Sequence, residues 1–494
     1  MEDFTTTVAL VGIVILVASL LSGAIERTGF PIVAAFLALG AILGPHGLGI
    51  VDIGFESPAL HVIAMLALAL VLFSDAVTID VTQVKTRKPL LWRLLGPGTL
   101  FPAAILAIAA RFMLGMSWPL SAILGAALAS TDPVLLRSVL RFPRFPLVPR
   151  IALRIETGMN DVVLLPIVVI SVLLLQTSSA GEGVASEALS RSLVGLFLLG
   201  PALGAFIGWV GILLLEQVRS RVGVRRDYES LYAIGLALTA FAIDESIGGS
   251  GFVAAFAAGF MVSSQDVELC DCFLEYGEAT SEMLLLLTFV ALGTSLIWTS
   301  FGELSATTIA FAALALIVRT LVLYPVLTRA HVTGSDRKLI ALLGPRGLSS
   351  LLLVLLPVFA GVPGSERLFS IACIVVLASM VLHGTGIAVY LRRNKVEEVA
   401  QVVTGPTAPA SRRTLPIAEP QLESEVSDRI TIDEVRELQR LGEDVIFIDA
   451  RADRNRRNSD TQIAGSIRVH PHDPVPDATA LRLSQRATLV VYCA

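Results

Sequence analysis

Long apolar segments follow one another from near the N-terminus to about Arg392, and no other feature limits the fold as strongly. A membrane-spanning helix needs about 20 mostly apolar residues to cross a hydrocarbon core of about 30 Å. The sequence therefore predicts an all-α polytopic membrane protein with about thirteen spans. We place them near residues 6–24, 31–45, 58–76, 91–114, 118–139, 150–176, 190–216, 229–246, 249–263, 280–298, 304–328, 337–360 and 367–391.

The composition supports a membrane protein and excludes several other classes. Hydrophobic residues make up 54% of the 494 residues and charged residues 16%, whereas an ordinary soluble protein carries about 25% charged residues. So little charge excludes a disordered protein, and a soluble enzyme over most of the length. The formal net charge of -5 gives no basic surface for nucleic acid, and four cysteines are too few for a disulfide framework. We expect a lipid bilayer as partner, and neither nucleic acid nor a cofactor.

Lysine and arginine are concentrated in every second loop, which predicts the orientation in the membrane. Short loops that face the cytoplasm carry an excess of these residues, so the N-terminus is expected outside and the C-terminal tail in the cytoplasm. The loops of the basic set contain Lys85, Arg87, Lys88, Arg93, Arg141, Arg144, Arg150, Arg219, Arg221, Arg225, Arg226, Arg329, Arg337, Lys338, Arg392, Arg393 and Lys395. We predict the plasma membrane of a prokaryote as the location.

The character of the sequence changes after Lys395. Residues 396–427 are rich in Pro, Ser, Thr and Glu without an apolar period, which predicts a flexible linker. Residues 428–494 show a soluble α/β pattern, with the amphipathic segment TIDEVRELQRL and two apolar strands, VIFIDA and the one within ATLVVYCA. The predicted domains are a transmembrane domain over residues 8–391, the linker, and a small α/β domain.

Ionisable residues within the spans are candidates for function, because each costs several kcal/mol in lipid unless it is paired, protonated or hydrated. In the fifth span, Asp132 is followed by Pro133, which lacks a backbone donor and clashes with the preceding turn. We expect this helix to be interrupted, so that Ser130, Thr131 and the freed carbonyl groups can replace the hydration shell of a cation. The alternative is a proline kink in which a neighbour satisfies the carboxylate.

The sixth span carries three polar residues within two turns. Glu156 and Asn160 are four residues apart and share one helical face, and Asp161 lies about 100° further round. So many polar groups in a membrane helix predict a functional role for Asp161. For Glu156 a structural role beside a cationic partner remains open.

The twelfth span has a second predicted interruption. Arg346 lies between Gly344 and Pro345 on one side and Gly347 on the other. A guanidinium cannot lose its proton, so a buried Arg346 requires a carboxylate, and we predict Glu156 as that partner. One interrupted helix in each half of the chain indicates a transporter of two inverted repeats with its site at the midplane.

Other candidate residues have weaker support. Asp75 ends the third span, where a carboxylate is often simply solvated, and His61 and His383 are intramembrane histidines that more often serve packing than proton transfer. The segment Cys270–Asp271–Cys272 offers too few ligands for a confident metal site, because a second pair of ligands is missing from the sequence around it.

Four motifs together resemble the monovalent cation:proton antiporter family, which includes sodium/proton antiporters and exchangers. They are FSDAVTID in the third span, STDP in the fifth, ETGMND in the sixth and GPRG in the twelfth, and the resemblance covers about residues 8–391. It implies thirteen helices in two inverted repeats, a dimerisation domain that makes a homodimer, and a core domain whose crossed, broken helices hold the ion.

The resemblance also implies roles for individual residues. Asp161 would be the ligand shared by the cation and the proton, with Asp132 and Thr131 supporting it at the unwound helix. Thr157 would offer its hydroxyl, and Asn160 stands where electrogenic relatives have a second aspartate.

The mechanism that follows is competition for one carboxylate. Burial disfavours the charged form of a carboxylic acid, so a dry Asp161 holds either a proton or a partly dehydrated cation. With asparagine at position 160, we expect one cation exchanged for one proton, without net charge transfer. Na⁺, K⁺ and Li⁺ all remain candidates. A channel or an ion sensor built on the same fold is an alternative.

The tail resembles a rhodanese-like domain over about residues 428–494. The matching features are a strand ending in Asp449 and Arg451, a weakened turn over residues 461–466, and Cys493 at the family's sulfur-carrying position. The family's anion-binding loop follows that cysteine, and here the sequence given ends at Ala494. We therefore do not expect sulfurtransferase activity from this polypeptide, although a membrane-anchored sulfurtransferase is the alternative function.

Overall fold

The structure is a computed structural model of the chain. It describes residues 12–13, 16–17, 20, 32–49, 57–79, 81, 84, 87–140, 142, 145–177, 189–222, 226–265, 271–330, 332–402, 435, 440, 445–449, 463, 465–469 and 488–492. The chain forms two compact units, Met1–Gly405 and Pro406–Ala494.

The described part of the first unit is helical. Its helices are α1 Ile32–Leu43, α2 Pro58–Val77, α3 Lys88–Leu95, α4 Pro97–Met113, α5 Trp118–Ala129, α6 Pro133–Leu140, α7 Leu147–Thr177, α8 Gly200–Arg221, α9 Arg226–Ile247, α10 Gly251–Ser264, α11 Asp271–Gly302, α12 Ala306–Val326, α13 Gly334–Leu342, α14 Leu348–Phe359 and α15 Ser365–Val402. A π-helical turn, Gly195–Leu199, precedes α8, and a 3-10 turn, Leu327–Arg329, follows α12.

These helices match the apolar segments of the sequence. Each predicted span from the second to the thirteenth coincides with one helix or a pair of helices, and most of the first lies outside the described residues. Within the described residues, seven helices are long and apolar enough to cross a membrane. Helix α15 continues to Val402, beyond the residue at which the linker was expected to begin.

The fifth and twelfth spans are both interrupted, as the sequence predicted. Helix α5 ends at Ala129 and α6 begins at Pro133, and the intervening Ser130 has an extended backbone with φ -61° and ψ 143°. Helix α13 ends at Leu342 and α14 begins at Leu348, after the segment that contains Gly344, Pro345 and Gly347. Proline supplies no backbone donor to a preceding turn, which explains why helical hydrogen bonding stops at both places.

Close helix packing organises the rest of the bundle. Gly204 and Gly208 of α8 lie against Ala254 and Ala258 of α10, where a Cβ on either glycine would overlap the facing backbone. Small residues at helix contacts allow this approach in membrane proteins. Helix α5 packs against α4 and α7, and α14 packs against α5, α7 and α15, so both interrupted spans lie inside the bundle.

The described part of the second unit contains a parallel three-stranded sheet. Its strands are β1 Val445–Asp449, β2 Ile467–Arg468 and β3 Thr488–Tyr492, in the order β2-β1-β3. The predicted apolar strands VIFIDA and LVVYCA are therefore confirmed as strands over these residues. Cys493, Arg451 and most of the predicted turn lie outside the described residues, so the likeness to a rhodanese domain stays a prediction.

Candidate ion-binding site

The two interrupted spans contact each other at their breaks. The backbone N–H of Asp132 donates a hydrogen bond of 3.0 Å to the carbonyl oxygen of Pro345. The next residue but one, Gly347, packs against the Asp132 carboxylate so closely that a Cβ would overlap Oδ2. Backbone groups that neither helix can satisfy are thus paired with each other, and a buried carboxylate is held at the crossing.

Asp161 of α7 lies beside the first break. It is 3% exposed, and its Oδ1 accepts a hydrogen bond of 2.5 Å from Ser130 Oγ. The Ser349 hydroxyl at the start of α14 is a further hydrogen-bond partner, and the Asp132 carboxylate is near enough to repel the Asp161 charge. Asp161 therefore contacts residues of both broken helices.

Asn160 links α7 to the first break through its amide. Its Nδ2 donates to Thr131 Oγ1 at 2.8 Å and to the Thr131 carbonyl oxygen at 3.3 Å. Its Oδ1 is buried and has no hydrogen-bond partner among the described residues. A buried amide oxygen without a donor is costly, and carbonyl oxygen is a ligand type that hard cations prefer.

Thr157 and Asp75 lie near this group without a contact that assigns them to it. The Thr157 hydroxyl donates to the Leu153 carbonyl oxygen of its own helix at 2.9 Å. The Asp75 carbonyl oxygen would be 3.6 Å from a Cβ on Gly158, which places α2 against α7 close to Asp161. Their roles as ligands stay predictions.

The predicted ion pair between Glu156 and Arg346 is wrong, because Glu156 binds Arg319 of α12. Arg319 Nε and Nη2 lie 3.1 and 2.9 Å from Glu156 Oε1, and Nη2 lies 2.8 Å from Oε2. Arg319 Nη1 also donates to the carbonyl oxygens of Ile340 and Ala341 at 2.8 and 2.9 Å. This two-pronged guanidinium–carboxylate contact engages both oxygens of Glu156 and supplies its cationic partner.

The Arg346 side chain is directed towards the break in the fifth span. It is 1% exposed, and its Nη1 lies 3.4 Å from the Ser130 carbonyl oxygen. Its backbone N–H donates to Ser379 Oγ of α15 at 2.7 Å, and its Nε has no hydrogen-bond partner in the part of the chain that the structure describes. Arg346 therefore places a positive charge beside the first break rather than in an ion pair with Glu156.

Sequence reasoning missed three residues. Arg319 is the only charged residue in the α12 sequence ATTIAFAALALIVRTLVLYPV, so the rule applied to the other intramembrane charges would have found it. Ser349 follows closely after the GPRG motif, which is a weak signal. Ser379 is a small residue in an apolar helix, and nothing in the sequence distinguishes it.

The weaker candidates have the following places. The His61 ring stacks on Phe359 with centroids 4.4 Å apart, and His383 Nδ1 lies 3.1 Å from Ser379 Oγ. Cys270 lies outside the described residues. Across the described residues, no group of three or more His, Cys, Asp or Glu side chains is arranged to hold a metal ion.

Two interrupted helices cross inside a bundle of apolar helices, and buried carboxylates and arginines lie at the crossing. This combination is typical of integral membrane proteins that translocate ions. A sequence profile of the family described as "Sodium/hydrogen exchanger, transmembrane" matches residues 12–393. The chain belongs to this family, whose members are transporters rather than enzymes.

Several curated relatives are antiporters. The K(+)/H(+) antiporter NhaP of Alkalimonas amylolytica is 26% identical over 403 residues, covering 80% of this chain and 68% of the relative. The K(+)/H(+) antiporter NhaP2 of Shewanella oneidensis is 27% identical over 391 residues, covering 77% and 66%. The Na(+)/H(+) antiporter NhaS2 of Synechocystis is 26% identical over 264 residues, covering 53% and 45%. The match therefore spans only part of each relative's length.

A solved structure shares the fold. The sodium proton antiporter MjNhaP1 from Methanocaldococcus jannaschii, at pH 8, superposes with a TM-score of 0.63 and 19% sequence identity. The match covers 78% of this chain and 100% of that chain. At this identity the likeness shows the fold alone.

Proposed function

We propose that the protein is a secondary active antiporter that exchanges a monovalent cation for protons. Na⁺ is the first candidate, because the four sequence motifs resemble those of sodium/proton antiporters. K⁺ and Li⁺ are alternatives, and two of the relatives named above are K(+)/H(+) antiporters while one is a Na(+)/H(+) antiporter. Membership of the exchanger family and the fold shared with a sodium proton antiporter support the proposal.

The observation that carries the proposal is the surroundings of Asp161. The buried Asp161 carboxylate accepts a hydrogen bond from the Ser130 hydroxyl. The adjacent residue, Asn160, donates to the Thr131 hydroxyl and keeps a buried Oδ1 without a hydrogen-bond partner among the described residues. Oxygen atoms at an unwound helix can replace the water around an alkali cation. Because burial disfavours the bare charge, Asp161 is expected to hold either a proton or that cation.

The balance of buried charges supports a 1:1 stoichiometry. Asp132, Glu156 and Asp161 are the buried carboxylates around the crossing, and Arg319 and Arg346 are the buried guanidinium groups. With Asp132 and Glu156 ionised, the two arginines balance them, and one negative charge is left on Asp161. One cation or one proton cancels that charge, so we propose 1:1, electroneutral exchange by alternating access.

The larger arrangement is proposed from the same features. One break in each half of the chain supports two inverted repeats that move against each other around the site. We also propose a homodimer in a prokaryotic plasma membrane, with the N-terminus outside and the tail in the cytoplasm, on the basis of the family and of the basic loops.

Proton release from acidified everted vesicles on addition of Na⁺, K⁺ or Li⁺ tests the proposal. We expect at least one cation to release protons, and Asp161→Asn to reduce release to that of vesicles without the protein, because the amide cannot exchange a proton. Asp336→Asn, at the start of α13 and away from the site, is the matched control and should behave as the wild type. Equal insertion is checked by size-exclusion chromatography.

The outcomes separate the alternatives. Robust cation-driven proton release by Asp161→Asn would overturn the assignment of the shared ligand. Cation flux without proton movement would favour the channel, and cation binding without flux would favour the sensor.

For the tail we propose a rhodanese-like domain. In its parallel sheet, Asp449 at the end of β1 is fully buried and pairs in register with Tyr492, the residue before Cys493. Chemistry-bearing residues collect at this edge of parallel sheets. Thiosulfate:cyanide sulfurtransfer that is lost in Cys493→Ser would support the membrane-anchored enzyme, and no activity in the full chain would favour a docking or sensing role.

A further inference from the structure

Ser379 lies within α15, a helix that contributes none of the buried carboxylates named above, yet its hydroxyl reaches the second break. It is fully buried, and its Oγ accepts a hydrogen bond of 2.7 Å from the backbone N–H of Arg346. Arg346 lies between the end of α13 and the start of α14, where the helical hydrogen bonds are interrupted. Without Ser379 this buried donor would be left unpaired, which is costly.

The residues on either side of Arg346 hold Asp132. The carbonyl oxygen of Pro345 accepts the Asp132 N–H at 3.0 Å, and Gly347 packs directly against the Asp132 carboxylate. Three consecutive residues, 345–347, therefore connect Ser379 to a candidate cation ligand. Consecutive Cα atoms are 3.8 Å apart, so a displacement at Arg346 is transmitted to both contacts of Asp132.

The Ser379 hydroxyl also lies next to His383, one turn further along α15. His383 Nδ1 is 3.1 Å from Ser379 Oγ and 3.1 Å from the Ser379 carbonyl oxygen. An unprotonated Nδ1 accepts from the hydroxyl, whereas a protonated Nδ1 donates to one of the two oxygens. In both tautomers the imidazole occupies the space beside the hydroxyl and limits its rotation away from Arg346.

We infer that Ser379 is a positioning residue that sets the cation preference of the site: by holding the Arg346 N–H it fixes residues 345–347, and through them the distance of Asp132 from the ion. The inference rests on the proposed function. Selection among Li⁺, Na⁺ and K⁺ depends on how rigidly the ligand oxygens keep their spacing, and a support outside the site supplies that rigidity.

The test measures the KM of Li⁺, Na⁺ and K⁺ in vesicles for Ser379→Ala and Ser379→Thr. Loss of one buried hydrogen bond corresponds to about a tenfold change, so Ser379→Ala should raise the KM of the preferred cation about tenfold and bring the three KM values closer together. Ser379→Thr keeps the hydroxyl and should restore the wild-type order. Ser171→Ala is the control, because among the described residues the Ser171 hydroxyl bonds only the Ile167 carbonyl oxygen of its own helix.

His383 gives a second measurement that leaves the Arg346 contact in place. His383→Leu removes the Nδ1 that lies beside the Ser379 hydroxyl, and it should shift the KM ratios in the same direction as Ser379→Ala but by less. His383→Asn offers an oxygen near the position of Nδ1, so its KM ratios should stay closer to those of the wild type. This pair decides the question if Ser379→Ala inserts poorly.

The possible failures are distinguishable. Suppose that the wild type exchanges cations and that both Ser379→Ala and His383→Leu keep its KM ratios. The positioning role is then wrong, and the proposed function stands. The same conclusion follows if both variants only lose maximal rate, equally for all three cations. If the wild type exchanges none of the three cations, both proposals fail.

Discussion

At the scale of single residues, the buried charges are organised by contacts that spacing along one helix does not reveal. Glu156 is satisfied by Arg319, which reaches it from α12 and also binds the last carbonyl groups of α13. This guanidinium therefore ties α7, α12 and the first half of the twelfth span together. Arg346, the expected partner, instead lies by Ser130.

The ion pair predicts a pattern of stability among variants. Removing one member of a buried pair leaves an uncompensated charge and costs about 3–5 kcal/mol. Arg319→Gln and Glu156→Gln should each lower the apparent Tm in detergent strongly, and the double variant should recover part of the loss. The double variant Glu156→Gln/Arg346→Gln is the comparison, and its apparent Tm should stay as low as that of Glu156→Gln alone. Recovery with Arg346 instead of Arg319 would contradict the observed pairing.

At the scale of elements, two short unwound segments expose backbone groups that an intact helix would keep in its own hydrogen bonds. The break before Pro133 and the break around Pro345 expose backbone groups that pair with each other, and they bring Asp132, Ser130 and Thr131 to the side of α7 that carries Asn160 and Asp161. The site is thus made by three elements from both halves of the chain.

The close contact at the crossing makes Gly347 a sensitive position. A methyl group in Gly347→Ala would overlap the Asp132 carboxylate and displace it, so we expect exchange to fall strongly while insertion is kept. Gly235→Ala in α9 is the control, since a Cβ there meets no atom within 4 Å. Wild-type exchange by Gly347→Ala would show that the position of Asp132 is not critical.

At the scale of the whole molecule, the balance of buried charge decides what can cross. Asp132, Asp161 and Arg346 lie buried at the crossing inside a largely apolar bundle. Moving Asp161 through this low-dielectric interior costs free energy when it carries neither a proton nor a cation. In the proposed mechanism a proton or a cation removes that cost, and the two fluxes are coupled for this reason. The second unit is a separate parallel-sheet domain, and its role is independent of this argument.

Competition for one carboxylate predicts both the pH dependence and the electrical behaviour. As the pH falls, more Asp161 is protonated, so the KM of the cation should rise, by up to about tenfold per pH unit in the acidic limit. With rising pH the KM should decrease to a constant value. Exchange in proteoliposomes should be independent of an imposed membrane potential, and a current that reverses away from zero potential would refute 1:1 exchange.

The sequence by itself determined the helical membrane fold, both interruptions and the identity of the candidate ligands. Apolar length, proline and glycine act locally, and an ionisable residue in lipid is conspicuous wherever it lies. The tertiary structure decided which groups meet: Arg319 rather than Arg346 for Glu156, Ser130 on Asp161, and Ser379 beneath the second break. These contacts join residues far apart in the chain, and they depend on helix rotation and depth, which a periodic apolar pattern leaves undetermined.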